Sequence, residues 1–362
     1  MRHRIYNFSA GPAMLPEQVL QEVQQELMNY RDSGMSVMEL SHRGKVFLEI
    51  LETGEEALRE LLQIPQEYAV LFLQGGGTQQ FAMIPMNLAQ DGAGAYLIGG
   101  YWSRKAYDEA RKLGCGIIAG ASPEPYVPTV KLQTPLPERT KYLYFCENET
   151  IQGTRMPTLP KAAVPLISDQ SSMFLSQPCD VSQYGMIFAG VQKNVGPAGL
   201  AIVIIRRDLI REDLTSLPAC LSYDLQSKAG SLYNTPNCWS IYVCGKVFQH
   251  LIDNGGLGAA EERNREKAAL LYSFLDGSNL FKPFVREPYR SRMNVTFSIG
   301  SHSMDRKLIQ RAEDAGLVGL AGHKSQGGLR ASIYNAMPLS GVTALVRFLE
   351  RFEKEEGFLS GS

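Results

Sequence analysis

The sequence lacks several patterns that would assign it to common functional classes. Its six cysteines include no C-x-x-C pair, so neither a zinc site nor a disulfide framework is expected. It has no block of basic residues and a formal net charge of −1, which argues against a general nucleic-acid-binding protein. The most apolar run, residues 200–205, is far too short to cross a bilayer.

A secretory signal is also not expected, because residues 1–15 contain charge but no apolar segment. With the cysteines taken as small apolar residues, a reducing cytoplasm is the simplest compartment, with no metal ion, nucleic acid or membrane as partner. The chain has the composition of a globular protein, with 44% hydrophobic and 20% charged residues. Its 362 residues exceed one ordinary core, so two domains are expected.

Short apolar runs alternate with helical or loop segments over the first two thirds of the chain. Strands are predicted at 69–73, 95–98, 142–146, 164–168, 186–189 and 200–205, and helices at 16–31, 45–62 and 79–89. This alternation predicts an α/β fold with a mostly parallel sheet covered by helices, whose strand order stays open.

The pattern changes near residue 255. A long charged helix is predicted at 258–274. A strand at 293–299, a helix at 304–315, a strand at 329–334 and a helix at 342–353 are predicted to follow it. We therefore predict a large domain over residues 16–259 and a smaller C-terminal α+β domain over residues 260–362, with residues 1–15 packing near the active site.

Lys193 is the residue with the strongest chemical implication. It lies between two strand-like runs, and an ammonium placed between buried strands needs a reason. Asp169 follows another predicted strand, 24 residues earlier. A pyridoxal-phosphate (PLP) enzyme needs such a pair, because a lysine amine binds the cofactor aldehyde and a carboxylate keeps the pyridine nitrogen protonated. A surface lysine and a helix-capping aspartate are the alternatives.

Other predicted strands also end in residues suited to a ligand. The glycines before Thr78 join a predicted strand to a predicted helix, and the N–H groups at such a helix start can bind a phosphate. The segment matches neither the Walker A motif nor the dinucleotide motif G-x-G-x-x-G, so a monophosphate fits better than a triphosphate or a dinucleotide. Trp102 is a candidate for stacking on a flat ring, and Thr150 ends a polar segment. Each of these features taken alone is explained as a turn or as core packing. Their joint occurrence at the ends of several predicted strands favours a ligand-binding site.

Six segments together resemble the phosphoserine aminotransferase family, class V aminotransferases of the fold-type I, PLP-dependent group. They are residues 7–13, 41–44, 148–151, 189–194, 232–236 and 328–335. The resemblance covers essentially the whole chain. It implies a homodimer with shared active sites that transfers the amino group of L-glutamate to 3-phosphohydroxypyruvate, giving O-phospho-L-serine and 2-oxoglutarate in serine biosynthesis. A second role in pyridoxine biosynthesis is implied by the resemblance alone.

The resemblance also implies the residue roles. Lys193 would bind the cofactor covalently and Asp169 would pair with its pyridine nitrogen. The other cofactor-binding residues would be Gly77, Thr78, Trp102, Thr150 and Gln192, with Asn234 and Thr235 reaching the cofactor of the other subunit. The substrates would be bound by Ser9, His42, Arg43, His323, Lys324 and Arg330, of which Arg330 would hold the α-carboxylate and His42 and Arg43 would come from the partner subunit.

Two positions depart from the family pattern. Lys324 stands where many members have arginine, and Thr78 where some do; lysine keeps the charge but loses the two-pronged contact.

Another class V enzyme, such as an alanine–glyoxylate transaminase, is the alternative function. A cysteine desulfurase would need a mobile catalytic cysteine, a role that none of the six matches. A non-catalytic phosphate-ligand-binding protein is an alternative of a different class, and it would be colourless.

Overall fold

The computed structural model describes residues 4–359, apart from residues 123, 125, 129–131, 133–134 and 215. The strands are β1 (Tyr6–Asn7), β2 (Tyr68–Gln74), β3 (Ala93–Ile98), β4 (Gly116–Ala121), β5 (Thr140–Cys146), β6 (Asn148–Glu149), β7 (Thr154–Arg155), β8 (Leu166–Asp169), β9 (Met186–Gly190), β10 (Leu200–Arg206), β11 (Lys282–Pro283), β12 (Asn294–Ser298), β13 (Leu317–Val318) and β14 (Leu329–Ser332). The α-helices are α1 (Glu17–Glu26), α2 (Lys45–Leu62), α3 (Gly77–Leu88), α4 (Tyr101–Lys112), α5 (Tyr223–Lys228), α6 (Cys238–Asp253), α7 (Gly256–Gly277), α8 (His302–Asp314) and α9 (Leu339–Leu359).

A seven-stranded sheet forms the centre of the fold, in the order β2-β10-β9-β8-β5-β3-β4. Its strand pairs are parallel except those of β10, which is antiparallel to both neighbours. The register sets Asp169 beside Cys146 on one side and Phe188 on the other. The chain segments that follow β5, β8 and β9 therefore emerge side by side, which confirms the predicted mostly parallel α/β sheet.

Helices cover both faces of this sheet because its strands are apolar on both sides. In β10, Ile202 and Ile204 pack into one buried cluster, and Val203 and Ile205 pack into the cluster on the opposite face, as the twofold period of a strand requires. Residues of α2 and α6 join the first cluster and residues of α3 and α4 join the second.

A second, smaller sheet has the order β11-β12-β14, with antiparallel pairs. Its own core includes residues of α7, α8 and α9. The N-terminal segment joins this part of the molecule, since β1 pairs with β13 and Phe8 is buried in the same core. Helix α7 spans both regions, with Leu257 in the large core and Leu271 in the small one, and the predicted boundary at residue 260 falls inside it.

Several element boundaries differ from the sequence predictions. The helix predicted at 45–62 matches α2 in full. The helix predicted at 16–31 is wrong at its end, because α1 stops at Glu26 and the chain then makes a 3₁₀ turn with φ of 45° at Arg31 and 59° at Asp32. The apolar patterns did not indicate α4, β4 or α6. No helix in the described part of the chain is long and apolar enough to cross a membrane.

Candidate active site

A cavity of about 240 Å³ lies where the segments after β2, β3, β5, β8 and β9 meet. It contains nine of the residues predicted from the sequence: Gly77, Thr78, Trp102, Thr150, Asp169, Gln192, Lys193, His323 and Arg330. A larger cavity of about 750 Å³ lies between the N-terminal segment, α6 and α7, but none of these nine residues lines it. The side chains present, rather than the volume, therefore identify the candidate site.

Lys193 follows β9 and reaches into this cavity. Its Nζ donates a hydrogen bond of 2.6 Å to Thr150 Oγ1 and lies 5.3 Å from the centroid of the Trp102 ring. Burial lowers the pKa of the Lys193 ammonium, and the negative charge of Asp169 opposes that shift. A lysine with a lowered pKa has a larger share of neutral amine near neutral pH, and the neutral amine is the form that attacks a carbonyl group or accepts a proton.

Asp169 is the last residue of β8 and is 5% exposed. Its Oδ1 accepts a hydrogen bond of 2.9 Å from the backbone N–H of Ser171. The residues that follow form turns rather than an α-helix, so the predicted alternative of a helix cap does not describe it. The carboxylate instead lines the cavity together with Lys193.

Trp102 lies in the first turn of α4 at the cavity wall. Its backbone N–H donates to Glu149 Oε2 at 2.9 Å, and its ring lies 6.4 Å from that of Phe81. The indole Nε1 is buried and has no hydrogen-bond partner among the described residues. The residue therefore lines the cavity with an indole N–H whose hydrogen-bonding capacity is unused by the described residues.

The start of α3 faces the same space. Gly76, before the helix, has φ of 77°, a conformation that favours glycine. The backbones of Gly77 and Gly190 approach so closely that a Cβ at Gly190 would lie 3.1 Å from Gly77 N. The first N–H groups of a helix are unpaired and its dipole favours negative charge, so this end of the cavity suits an anion. Gln192 lies beside it, with Oε1 buried and unpaired within the described structure.

Arg330 and His323 provide positive and hydrogen-bonding groups at the opposite wall. Arg330 is in β14 and donates from Nη1 to the backbone oxygen of Thr150 at 3.3 Å, while its Nε is buried without a partner in the described residues. His323 Nδ1 lies 2.7 Å from Ser325 Oγ and accepts from the backbone N–H of Ser325 at 3.2 Å, and the second contact favours the neutral tautomer with its proton on Nε2. Burial lowers the pKa of His323, and the charges of Arg330, Lys324 and Lys105 lower it further.

The comparisons with known proteins show the family of this chain. The sequence matches the class-V aminotransferase family over residues 5–345. This chain is a class-V aminotransferase, of the phosphoserine aminotransferase family. A phosphoserine aminotransferase from Bacillus cereus is 50% identical to it over 97% of this chain and 99% of the relative.

Solved structures of the phosphoserine aminotransferase family share its fold. The enzyme from Bacillus circulans subsp. alkalophilus has a TM-score of 0.94 and 42% identity, covering 98% of this chain and 99% of that one. A PLP-bound phosphoserine aminotransferase from Trichomonas vaginalis has a TM-score of 0.89 and 38% identity, covering 96% of this chain and 100% of that one. The predicted fold-type I architecture is thereby confirmed.

Six residues predicted for the site of this aminotransferase do not line the cavity. They are Ser9, His42, Arg43, Asn234, Thr235 and Lys324. Ser9 lines a different cavity together with Asn7 and Val318, and its N–H donates to Asn7 Oδ1 at 2.9 Å. Lys324 is exposed next to His323.

The four residues predicted to act across subunits all lie toward the outside of the chain. Arg43 Nε donates to His42 Nε2 at 3.3 Å, and the Arg43 side chain is otherwise exposed. Asn234 and Thr235 are exposed, and the Thr235 carbonyl accepts from Gln74 Nε2. A contribution of these four to the site of a partner subunit stays a prediction.

Sequence reasoning missed part of the cavity lining. Ala10 and Gly11 line the cavity, and a Cβ at Gly11 would lie 3.2 Å from Lys193 Cγ, so the absence of a side chain there makes room for the lysine. The segment 7–13 was recognised as a motif, but it gave no sign of which residues approach Lys193. Phe81, Ile151 and Ser171 also line the cavity.

Proposed function

We propose that this chain is a PLP-dependent transaminase that transfers the amino group of L-glutamate to 3-phosphohydroxypyruvate, giving 2-oxoglutarate and O-phospho-L-serine for serine biosynthesis. The observation that carries the proposal is that Lys193 and Asp169 line one cavity, between the Trp102 ring and the start of α3. The 50% identity to a phosphoserine aminotransferase over nearly the whole chain favours this substrate pair over that of an alanine–glyoxylate transaminase.

The cavity residues fit PLP. The start of α3, with Thr78 and Gln192 beside it, would hold the phosphate, and Asp169 would hold the pyridine nitrogen. Trp102 would cover the ring, with Thr150 near the phenolic oxygen. The buried, unpaired Trp102 Nε1 and Gln192 Oε1 support this assignment, because buried polar atoms without partners are rare in a complete site.

The chemistry expected of the side chains follows from their surroundings. When bound, PLP supplies an electron sink for the charge that develops at the substrate Cα. Lys193 would take and return the Cα proton, which its lowered pKa favours, and Thr150 Oγ1 orients the amine. The buried carboxylate of Asp169 would keep a proton on the pyridine nitrogen.

The other wall would select the substrates. Arg330 would bind the α-carboxylate with its planar guanidinium. His323 would donate from Nε2 to the distal anion, and the charges of Lys324 and Lys105 act on the same ring. One cationic end can serve both substrates, since the γ-carboxylate of glutamate and the phosphate of the acceptor are both distal anions.

We also propose a homodimer in which His42 and Arg43 bind the partner's substrate, and Asn234 and Thr235 bind the partner's cofactor phosphate. Exposed apolar side chains accompany these segments, with Met28 80%, Met38 60% and Tyr233 45% exposed. Exposed apolar side chains that gather into one patch are typical of contact regions. The cytoplasm is the proposed compartment, because all six cysteines are free.

A coupled assay with purified protein tests the substrate proposal. Glutamate is the donor, and phosphohydroxypyruvate, hydroxypyruvate and glyoxylate are compared as acceptors. We expect kcat/KM to be highest for the phosphorylated acceptor, since the phosphate adds charge-assisted contacts. A preference for glyoxylate would instead identify the alternative transaminase, and a colourless protein with no activity would favour a binding protein.

A further inference from the structure

Glu149 is a buried carboxylate that has no cation within ion-pair distance among the described residues. Its side chain is 1% exposed. Oε1 accepts from the Ser103 N–H at 2.9 Å and from the Ser103 hydroxyl at 2.6 Å, and Oε2 accepts from the Trp102 N–H at 2.9 Å. These three donors offset the cost of removing a carboxylate from water.

The donors belong to the first turn of α4, where N–H groups have no partner within the helix. Gly100, before the helix, makes the approach of the carboxylate sterically feasible, because a Cβ there would lie 2.6 Å from Glu149 Cδ. The positive end of the helix dipole favours a negative charge at this point. Burial raises the pKa of Glu149, and the hydrogen bonds from Ser103 and Trp102 oppose that rise.

The residue after Glu149, Thr150, binds the lysine and the arginine of the cavity. Thr150 Oγ1 accepts from Lys193 Nζ at 2.6 Å, and the Thr150 carbonyl accepts from Arg330 Nη1 at 3.3 Å. Two adjacent residues therefore connect the start of α4 to the lysine and the arginine. Glu149 itself does not line the cavity, so any effect on the chemistry passes through its partners.

We propose that Glu149 is a positioning residue that fixes the indole of Trp102 relative to Lys193 by binding the first turn of α4. The inference deepens the proposed function, on which its catalytic consequence rests. Without the carboxylate, the Trp102 and Ser103 N–H groups are buried and unpaired, and the start of α4 shifts to find other partners. The ring then covers the cavity less closely, although every group that would touch the cofactor is still present.

The variants Glu149→Gln and Ser103→Ala test the proposal in a Trp239→Phe background. The chain has two tryptophans, so this background leaves Trp102 as the single tryptophan that is quenched. Glutamine keeps the shape but replaces one acceptor oxygen with a donor. Alanine removes the Ser103 hydroxyl, which donates to Glu149 and also accepts from the N–H groups of Gly99 and Gly100, each at 3.0 Å, and it leaves both backbone N–H bonds to Glu149 in place. Glu147→Gln is the matched control: Glu147 is a carboxylate of the same segment, bonded to Ser168, Gln170 and Tyr184, and it lines a different cavity.

Three measurements are compared with the parent protein: acrylamide quenching of Trp102 in cofactor-free protein, the dissociation constant of PLP, and kcat with KM for both substrates. For Glu149→Gln we expect Trp102 to be quenched more strongly, PLP to bind about tenfold more weakly and kcat to fall about tenfold, with KM nearly unchanged. Ser103→Ala should move the same quantities less. Glu147→Gln should lower the melting temperature without changing quenching or PLP affinity.

Equal changes in Glu147→Gln and Glu149→Gln would reduce Glu149 to a merely structural role and overturn the proposal. So would unchanged Trp102 quenching in a folded Glu149→Gln variant; if that variant does not fold, unchanged quenching in Ser103→Ala overturns it equally. Quenching is read in cofactor-free protein, so it is independent of the proposed reaction. A parent protein that bound no PLP would remove the proposed function while leaving the quenching comparison valid.

Discussion

Lys193 Nζ and Arg330 Nη1 both donate hydrogen bonds to Thr150, one to its side-chain hydroxyl and the other to its backbone carbonyl. Lys193 follows a strand of the seven-stranded sheet, whereas Arg330 belongs to the small sheet. The group that would move the substrate proton and the group that would bind the α-carboxylate are therefore held by a single residue. This contact fixes the spacing between them, on which the orientation of a bound amino acid depends.

Lys193 should be the residue that binds the cofactor covalently. Borohydride reduction of the PLP-loaded protein, followed by mass spectrometry, should place a pyridoxyl group on Lys193. Lys193→Ala should abolish turnover, because the cavity then contains no amine that can move the Cα proton. Lys105→Ala, which removes an exposed lysine near His323, is the control and should keep the adduct. An adduct on another lysine would contradict the assignment.

Asp169→Asn should lower kcat by about two to three decades, as other preorganised electrostatic groups do. The variant removes the negative charge at nearly constant shape, and the asparagine oxygen can still accept from Ser171 N–H. Asp180→Asn is the control, because Asp180 is an exposed aspartate on a neighbouring loop. Steady-state kinetics with glutamate and phosphohydroxypyruvate provide the measurement, and near-normal turnover of Asp169→Asn would reject the role.

The meeting of Lys193 and Asp169 in one cavity could be predicted from the sequence because its signal is local. Lys193 and Asp169 each follow a short apolar run, and parallel strands bring their carboxyl ends to one edge of a sheet. The sheet order could not be predicted in the same way. Strand β10 is apolar up to its last residue, Arg206, and inserts antiparallel between β2 and β9, a long-range pairing that no pattern of its residues specifies.

The elements that were missed depend on distant residues. The first turn of α4 is bound by the side chain of Glu149, 47 residues after Trp102, and the local cap comes from Ser103 inside the helix, whose hydroxyl accepts from the Gly99 and Gly100 N–H groups, rather than from a polar residue before it. Helix α1 ends early, and the buried Tyr30 follows it in a turn that is specified by tertiary packing. The approach of Gly11 to Lys193 likewise joins parts of the chain that only the fold brings together.

Lys324→Ala should lower kcat/KM for phosphohydroxypyruvate about tenfold and change it little for hydroxypyruvate. Lys324 is exposed and outside the cavity lining, so its charge would act on the phosphate as a point contact or through space. His323→Ala should cost more, because His323 lines the cavity with Nε2 free to donate. Equal, small effects of Lys324→Ala on both acceptors would leave the phosphate to His323 and the partner's side chains.

The site should be shared between subunits. Lys193→Ala and Arg43→Ala proteins should each be inactive as homodimers, whereas a mixture should recover activity, since a heterodimer has one site with both residues intact. The test needs subunit exchange, which native mass spectrometry of differently tagged chains can confirm. A mixture that exchanges subunits without any recovery would contradict a shared site and would place Arg43 outside the substrate contacts.

Lys267 should make the stability of this protein depend on pH. Its side chain is 2% exposed, and its Nζ donates to the carbonyls of Ile333, Tyr334 and Met337 at 3.0, 2.7 and 3.0 Å. Burial lowers the pKa of Lys267 to about 7, and the charge of Arg263 adds to this shift. An unfolded chain binds this proton up to about pH 10.4, so between these values it holds more protons than the folded chain.

The free energy of unfolding should therefore rise with pH through this residue, starting near pH 7, since stability increases wherever the unfolded state binds more protons. Lys267→Met cannot titrate and leaves three carbonyls unpaired, so it should be less stable at every pH, by about 3 kcal/mol at neutral pH. Urea unfolding at about pH 7 and about pH 9 should show the wild type gaining stability over this variant at the higher pH. Lys282→Met, which removes one carbonyl contact of an exposed lysine, controls for the loss of a long side chain. A difference between wild type and Lys267→Met that is the same at both pH values would mean that Lys267 keeps its proton when buried, held by the three carbonyls.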